Sequence, residues 1–154
     1  MGQEIERKFL VNATTYRDLA KGTHYKQGYL NSQKERVVRV RTIDTTGFMT
    51  VKGITKGATR LEYEYEIPAK DADELLDQLC EQPIIDKHRY KVAMGNHVWE
   101  IDEFHGENEG LTVAEVELES EDQEFPKPDW IGEEVTGDPR YYNSNLIANP
   151  YKKW

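Results

Sequence analysis

The chain has 154 residues, of which 20 are Lys or Arg and 29 are Asp or Glu, so its formal net charge is −9. This length fits one domain, and we predict a single domain over residues 1–154. The acidic balance excludes a general nucleic-acid or anionic-membrane binder, because such surfaces need clustered Lys and Arg. No segment approaches the ~20 apolar residues of a membrane span, and the N-terminus has no hydrophobic signal core, so we expect a cytoplasmic protein.

Cysteine and histidine give no metal-binding pattern. Cys80 is the only cysteine, which excludes an intramolecular disulfide and a thiolate zinc cluster, and its helical surroundings favour an inert thiol. The four histidines show no HxxxH or HExxH spacing. A metal site built on these residue types is therefore not expected.

Short runs of alternating apolar and polar residues recur along the chain and predict β-strands. The pattern predicts at least seven strands, or eight when the last run is included. The runs span residues 4–10, 37–43, 48–53, 60–67, 86–92, 97–104, 111–119 and 132–136. Strands therefore dominate the predicted fold.

Three segments interrupt the strands with helical signals. Residues 12–22 begin with an Asn or Thr cap and close on a glycine, and a short helix near the C-terminus is expected to begin at Pro139. Residues 69–83 offer Asp71 as a cap and Pro83 as a stop. The apolar stripe of that segment consists of Leu75, Leu76 and Leu79. We expect these helices to pack against the sheet.

The strand runs carry their charges on one face, because residues i and i+2 of a strand point the same way. The charged faces hold Glu4, Glu6, Lys8; Arg39, Arg41; Lys52; Arg60, Glu62, Glu64, Glu66; Lys87, Arg89, Lys91; Glu100, Asp102; and Glu115, Glu117, Glu119. A solvated sheet face is the ordinary explanation of such a pattern. However, like charges two residues apart repel each other, which favours a site that an oppositely charged ligand completes.

A sheet that closes into a barrel with this face inward would enclose a carboxylate cluster and a cationic wall. Carboxylates without His or Cys select a hard cation such as Mg²⁺ or Mn²⁺. Arg and Lys select phosphate oxygens. A polyphosphate chelated to a metal ion meets both requirements. The apolar face would then point outward, and the helices or a second copy in a homodimer would cover it.

Nine segments in order resemble the CYTH superfamily, also called triphosphate tunnel metalloenzymes. The first is the ExExK motif from Glu4 to Lys8, and the others are YKQGYL, RVR, TVKG, RLEYE, DKHRY, WEIDEF, AEVELE and EVTGDPRYYNSNL, the last ending at residue 146. The resemblance implies a β-rich α+β fold: a closed eight-stranded antiparallel β-barrel, or tunnel, with a charged interior and a few flanking helices. It also implies divalent-metal dependence and chemistry on triphosphate groups.

The resemblance assigns roles residue by residue. Metal ligands would be Glu4, Glu6, Glu115 and Glu117, with Glu119 at the rim. Phosphate-binding residues would be Lys8, Arg39, Arg41, Lys52, Arg60, Lys87 and Arg89. Supporting catalytic residues would be Glu62, Glu64 and Asp102, which organise the basic side chains or assist a second metal. Lys87 is a candidate for proton transfer if neighbouring cations depress its pKa.

The function predicted from these residues is a metal-dependent triphosphatase that acts on inorganic tripolyphosphate. A nucleotide enzyme on the same scaffold, either an ATPase or a class IV adenylyl cyclase, is one alternative, and a thiamine triphosphatase is another. A polyphosphate binder without catalytic activity is the third, but it would not need the carboxylates. A P-loop nucleotide site is excluded, because the chain has no GxxxxGK followed by Ser or Thr.

Overall fold

The computed structural model describes residues 5–54 and 61–154, and its regular structure is mainly β-strand. The strands are β1 (Ile5–Val11), β2 (Thr23–Asn31), β3 (Arg36–Ile43), β4 (Thr46–Gly53), β5 (Glu62–Ile67), β6 (Ile85–Met94), β7 (His97–Phe104), β8 (Thr112–Leu118) and β9 (Ile131–Glu134). The α-helices are α1 (Ala69–Gln78) and α2 (Asn143–Ala148). Short 3₁₀ helices lie at Thr15–Asp18, Gly106–Asn108, Pro139–Tyr141 and Tyr151–Lys153.

The chain divides into two compact units. Unit 1 comprises residues 1–23 and 87–154, and unit 2 comprises residues 24–86. Neighbouring strands follow the order β6-β7-β8-β1-β9 in unit 1 and β5-β4-β3-β2 in unit 2. The strand pairs within each unit are antiparallel. This confirms the predicted β-rich α+β class, whereas closure into a barrel stays a prediction.

The core of unit 1 lies on the apolar face of its sheet. Phe9 of β1, Trp99 of β7 and Val116 of β8 are all fully buried there. The Phe9 and Trp99 rings meet edge to face with centroids 5.6 Å apart, and Trp130 adds a further ring 5.8 Å from Trp99. Since side chains alternate along each strand, burying these residues turns their charged neighbours to the opposite face.

The core of unit 2 forms where α1 packs on the sheet. Leu76 of α1 is 1% exposed and Val40 of β3 is fully buried. Gly28 of β2 lies so close to α1 that a Cβ atom there would be 3.2 Å from Leu76 and 3.1 Å from Cys80. Burial raises the pKa of the Cys80 thiol to about 11, in agreement with the inert thiol expected from the sequence.

Helix α1 leaves part of the apolar face of β5 uncovered. Leu61, Tyr63 and Tyr65 alternate with the glutamates of this strand and are 65%, 54% and 61% exposed. Unit 2 therefore exposes apolar surface at this strand, and the homodimer that the sequence suggested as cover stays a prediction.

The predicted count of eight strands is wrong, because nine strands are present in the described residues. The missed strand is β2. Its buried residues include Tyr25, Gln27 and the adjacent Gly28, so burial does not alternate along it and the period-two signal fails. A glycine inside a sequence segment also argues against a strand there, but Gly28 has no Cβ atom and therefore lets α1 pack closely on β2.

The helix predictions hold only in part. Residues 12–22 form one 3₁₀ turn at Thr15–Asp18 rather than a full helix. Helix α1 begins at Ala69, so Asp71 lies in its first turn instead of capping it, and the helix ends before Pro83. Leu79, assigned to the apolar stripe, is 67% exposed.

The C-terminal helix starts as predicted, then changes form. Asp138 accepts a hydrogen bond from the Arg140 backbone N–H, and Pro139 opens a 3₁₀ turn before α2 begins at Asn143. In the residues that the structure describes, no helix has the length and apolar character needed to cross a membrane.

Replacing Leu76 by Ala tests how far unit 2 depends on α1. We expect the free energy of unfolding to fall by about 2–5 kcal/mol, because the truncation leaves a cavity beneath a fully packed helix. Urea unfolding followed by far-UV circular dichroism measures this change. Leu79→Ala on the same helix is the control, and its exposed side chain should cost about 0.5 kcal/mol or less. Equal losses in the two variants would contradict the packing described here.

A salt bridge between β1 and β9 generates a pH prediction. Arg7 Nε donates to Glu134 at 2.9 Å, and this hydrogen bond holds the pKa of Glu134 at about 2, below its ordinary 4.5. Because the pKa of Glu134 is lowered in the folded state, the ionised carboxylate stabilises the fold above pH 4.5. This contribution to stability is lost as the pH falls toward 2. The pair is partly exposed, so we expect ~0.2–1 kcal/mol.

Thermal unfolding of the wild type and of Glu134→Gln between pH 2 and pH 7 should therefore show a difference in stability at neutral pH that disappears in acid. Glu133→Gln, an exposed neighbour on β9, is the matched control. A difference that persisted unchanged at pH 2 would show that the ion pair is not its cause.

Candidate functional site

The charged face of unit 1 brings four glutamates and a lysine onto neighbouring strands. The register places Glu6 opposite Glu117, Lys8 opposite Glu115, and Glu115 opposite Glu100. We call these five residues the carboxylate cluster. Glutamates opposite each other across a strand pair repel, so the cluster needs cations to balance it.

The carboxylate cluster fits a hard divalent cation by its donor atoms. The register places Glu6 diagonally across from Glu115, a separation that long side chains can span. Oxygen-only donors of this kind favour Mg²⁺ or Mn²⁺. Over residues 5–54 and 61–154 no group of three or more His, Cys, Asp or Glu is placed to hold a metal, and the predicted ligand Glu4 lies outside those ranges.

Lys8 is the cation that balances Glu115 in this structure. Its Nζ lies 3.2 Å from a Glu115 oxygen and donates a hydrogen bond to the backbone carbonyl of Tyr141 at 3.1 Å. Burial raises the pKa of Glu115, but the hydrogen bond with Glu6 and the Lys8 ammonium outweigh that effect and hold it below its ordinary value. Glu115 is therefore kept ionised, as a metal ligand must be.

A buried ion triad adjoins this cluster. Asp102 of β7 accepts from Lys87 Nζ at 3.0 Å and from the Nε and Nη2 atoms of Arg89 at 2.8 and 2.9 Å. Arg89 also reaches Glu100 at 3.2 Å. The side chains of Lys87 and Asp102 are only 3% and 7% exposed. Each buried charge thus has an opposite charge within hydrogen-bond distance, which is what burial requires.

The triad shifts both of its buried pKa values downward. Burial lowers the pKa of Lys87 more than Asp102 raises it. Burial by itself would raise the pKa of Asp102, but Lys87 and Arg89 outweigh it. The sequence made a proton-transfer role for Lys87 depend on neighbouring cations that depress its pKa. Burial is the main cause of the lowered pKa of Lys87, and Arg89 contributes less, so this role stays a prediction.

Unit 2 holds a second cluster, made of arginines. Arg39 and Arg41 of β3 share one carboxylate, Glu64 of β5, at 3.8 and 3.2 Å. Thr50 of β4, fully buried between them, donates its hydroxyl to Glu64 at 2.9 Å and thereby lowers the Glu64 pKa. We call Arg39, Arg41, Thr50 and Glu64 the arginine cluster.

The arginine cluster has more donors than acceptors. The Nε atoms of Arg39 and Arg41 are buried, and neither has a hydrogen-bond partner among the described residues. Burial and the nearby Arg41 charge lower the pKa of Arg39, so its cation is held at an energetic cost. An anion with several oxygen acceptors would satisfy both guanidinium groups.

The structure separates the predicted site residues into these groups. Unit 1 holds Glu6, Lys8, Glu115 and Glu117 in the carboxylate cluster and Lys87, Arg89 and Asp102 in the triad, with Glu119 exposed beyond the end of β8. Unit 2 holds Arg39, Arg41 and Glu64 together, and Lys52 lies 3.7 Å from Glu62 at the same face. Glu4 and Arg60 lie outside the described residues.

Cross-strand pairing corrects one step of the sequence argument. Like charges on β5 are expected to repel one another, but Glu62 lies 3.7 Å from Lys52 of β4 and Glu64 lies 3.2 Å from Arg41 of β3. Residues that sequence reasoning missed include Thr50 and Gln27. Gln27 and Tyr29 lie opposite Arg41 and Arg39. Thr50 occupies the charged register of its strand, so the alternation could have identified it.

An open cavity of about 790 Å³ lies against the charged face of unit 1. Its lining includes Lys91, His97, Glu100, Glu117 and Gln123. This volume falls in the range of small-molecule sites, and it gives a ligand access to two glutamates of the carboxylate cluster.

Comparison with known proteins finds relatives that match nearly the whole chain. An inorganic triphosphatase of Acetivibrio thermocellus is 57% identical over 154 residues, which cover 100% of this chain and 99% of that protein. An inorganic triphosphatase of Nitrosomonas europaea is 40% identical over 150 residues, covering 95% and 97%. The crystal structure of an inorganic triphosphatase aligns with a TM-score of 0.75 at 35% identity, covering 96% of this chain and 95% of that one.

These relatives share the antiparallel sheet with few helices described above. The CYTH domain model matches residues 2–146, which includes every strand of both units. The order of the motifs, the fold and these matches lead to one conclusion: this chain belongs to the CYTH domain family.

Proposed function

We propose that this chain is a metal-dependent triphosphatase that hydrolyses inorganic tripolyphosphate to pyrophosphate and phosphate. The observation that carries the proposal is the arginine cluster, where two buried guanidinium Nε atoms have no acceptor among the described residues. Phosphate oxygens suit the planar fork of Arg. The relatives named inorganic triphosphatase narrow the anion to a triphosphate.

In this mechanism Arg39 and Arg41 bind phosphate oxygens. Glu64 and Thr50 fix the two guanidinium groups before substrate arrives, through contacts of 3.2 Å from Arg41 to Glu64 and 3.4 Å from Arg39 to Thr50. Fixed cations stabilise the charge that develops on a departing phosphate without reorganising during the reaction. In phosphoryl transfer, the protein contributes mainly such positioning and electrostatic stabilisation.

The carboxylate cluster is the proposed metal site. Glu6, Glu115 and Glu117, with Glu4 as the fourth predicted ligand, would hold Mg²⁺ or Mn²⁺. When bound, such an ion neutralises phosphate oxygens and makes a water molecule a better nucleophile. Lys8 keeps Glu115 ionised until then, since their charges lie 3.2 Å apart.

In the hydrolysis, the oxygen of water forms a bond to a terminal phosphorus, the bridging P–O bond breaks, and pyrophosphate leaves with the electron pair of that bond. The water gives up a proton and the leaving oxygen takes one, and Lys87, whose pKa is lowered by burial, is the residue proposed to move a proton between them. Asp102 holds Lys87 in place through a hydrogen bond of 3.0 Å, and Arg89 in turn fixes Asp102 at 2.8 Å. Asp102 thus acts as a positioning residue in this scheme.

A substrate panel tests the proposal. We expect Mg²⁺- or Mn²⁺-dependent phosphate release from tripolyphosphate, abolished by a chelator, and slower release from ATP, thiamine triphosphate and pyrophosphate. Phosphate release and cyclic AMP are measured in parallel for each compound. Turnover of ATP to cyclic AMP would favour the cyclase alternative. Tight tripolyphosphate binding without turnover of any compound would leave only the non-catalytic binder.

The metal site is tested by Glu115→Gln, with Glu119→Gln as control. Both changes remove one carboxylate charge, but Glu115 lies within β8 and 3.2 Å from Lys8, whereas Glu119 is exposed beyond the end of that strand. We expect Glu115→Gln to weaken Mn²⁺ binding by about 10-fold or more and to lower kcat/KM by ~10²-fold. Calorimetry with Mn²⁺ measures binding separately from activity. Equal effects in the two variants would place the metal elsewhere.

A further inference from the structure

The C-terminal segment reaches into the carboxylate cluster through Lys8. The Lys8 ammonium lies 5.4 Å from the centroid of the Tyr142 ring and 3.1 Å from the Tyr141 carbonyl oxygen. Its third neighbour is Glu115. Two of the three groups that surround this ammonium therefore come from one short stretch of chain near the C-terminus.

That stretch is firmly anchored. Asn108, 2% exposed, donates to the Leu146 carbonyl at 3.3 Å and accepts from the Tyr151 backbone N–H at 2.8 Å. The Tyr141 and Trp154 rings also pack edge to face at 5.3 Å. The segment from residue 139 to residue 154 thus has a defined place on unit 1. A ring that this segment carries is held where it can constrain Lys8.

The three contacts of the Lys8 ammonium differ in whether they need one of its N–H groups to point in a particular direction. Glu115 and the Tyr141 carbonyl each take one of its three N–H donors, and both are directional. The Tyr142 ring offers its negative face, which attracts a cation without accepting a particular proton. Such a contact holds the charge in place while leaving a donor for a phosphate oxygen.

Tyr142 itself is not a core residue. It is 42% exposed, whereas Tyr141 beside it is 7% exposed. Truncating a half-exposed ring removes little buried apolar surface, so the fold does not depend on it. The 5.4 Å contact between this ring and Lys8 is therefore not accounted for by core packing alone.

We propose that Tyr142 is a positioning residue for Lys8: its ring fixes the ammonium beside Glu115, where Lys8 meets the triphosphate. The inference rests on the proposed function for its substrate, but the contact itself can be tested without turnover. Nothing in the ExExK motif indicates it, since the ring comes from the far end of the chain.

Three variants test the proposal: Tyr142→Leu, Tyr142→Phe and the control Tyr151→Leu. Tyr142→Leu removes the aromatic face, and Tyr142→Phe retains it. Tyr151 is 36% exposed on the same segment and packs on Trp154. We expect Tyr142→Leu to raise the KM for tripolyphosphate about 3- to 10-fold, the range of a cation–π contact, with kcat changed less than about 2-fold. The other two variants should stay within about 2-fold of the wild type in both constants.

A spectroscopic arm measures the contact directly. In protein labelled with ¹³C-lysine, the ε-methylene protons of Lys8 should be shifted upfield by the Tyr142 ring, and a Lys8→Gln spectrum assigns the signal. The shift should survive in Tyr142→Phe and Tyr151→Leu and vanish in Tyr142→Leu. Circular dichroism checks that each variant is folded.

The outcomes separate this inference from the proposed function. If the wild type turned over no triphosphate, the proposed function would fail while the Lys8 shift still reported on Tyr142. An unchanged KM in Tyr142→Leu, equal losses in Tyr142→Phe and Tyr142→Leu, or an unshifted Lys8 signal in the wild type would each overturn the role given to the ring.

Discussion

Burying charged side chains on one face of antiparallel strands is the constraint on which this structure depends. Lys87 and Asp102 are almost fully enclosed, and an isolated charge in such a place would cost several kcal/mol. The cost is met because Arg89 approaches Asp102 with two nitrogens while Lys87 approaches it with a third. Asp102 then has its lone pairs directed at cations, which suits it to organising basic side chains and not to holding a metal.

The two clusters differ in which kind of group is in excess. In the arginine cluster, Glu64 and Thr50 serve two guanidinium groups and the buried Nε atoms remain without acceptors among the described residues. In the carboxylate cluster, four glutamates share one face with Lys8, whose Nζ lies 3.2 Å from Glu115. The arginine cluster therefore favours binding of an anion, and the carboxylate cluster favours binding of a cation. The substrate proposed above, a metal-bound polyphosphate, contains groups of both kinds, so the net charge of −9 is no argument against it.

Local alternation predicted most of the fold and the members of each face. Eight of the nine strands follow from it, because apolar and charged residues alternate in the segments that form them. Strand β2 was not predicted, because the adjacent residues Gln27 and Gly28 are both buried and burial does not alternate there. The first predicted helix failed for a different reason, since residues 12–22 bury only Tyr16 and so have no apolar stripe to hold a longer helix on the sheet.

Alternation along a strand does not identify which residue lies opposite on the paired strand. The period of two assigns Glu62 and Glu64 to one face, but only the register with β4 shows that Thr50 lies opposite Glu64 and Lys52 opposite Glu62. Register comes from pairing between strands, so it follows from the packing of the whole unit and not from a local window. Lys8 is the extreme case: its contact with the Tyr141 carbonyl spans 133 residues. The functional chemistry of a charged face is thus readable in its composition, whereas the environment that tunes each charge is set by long-range pairing.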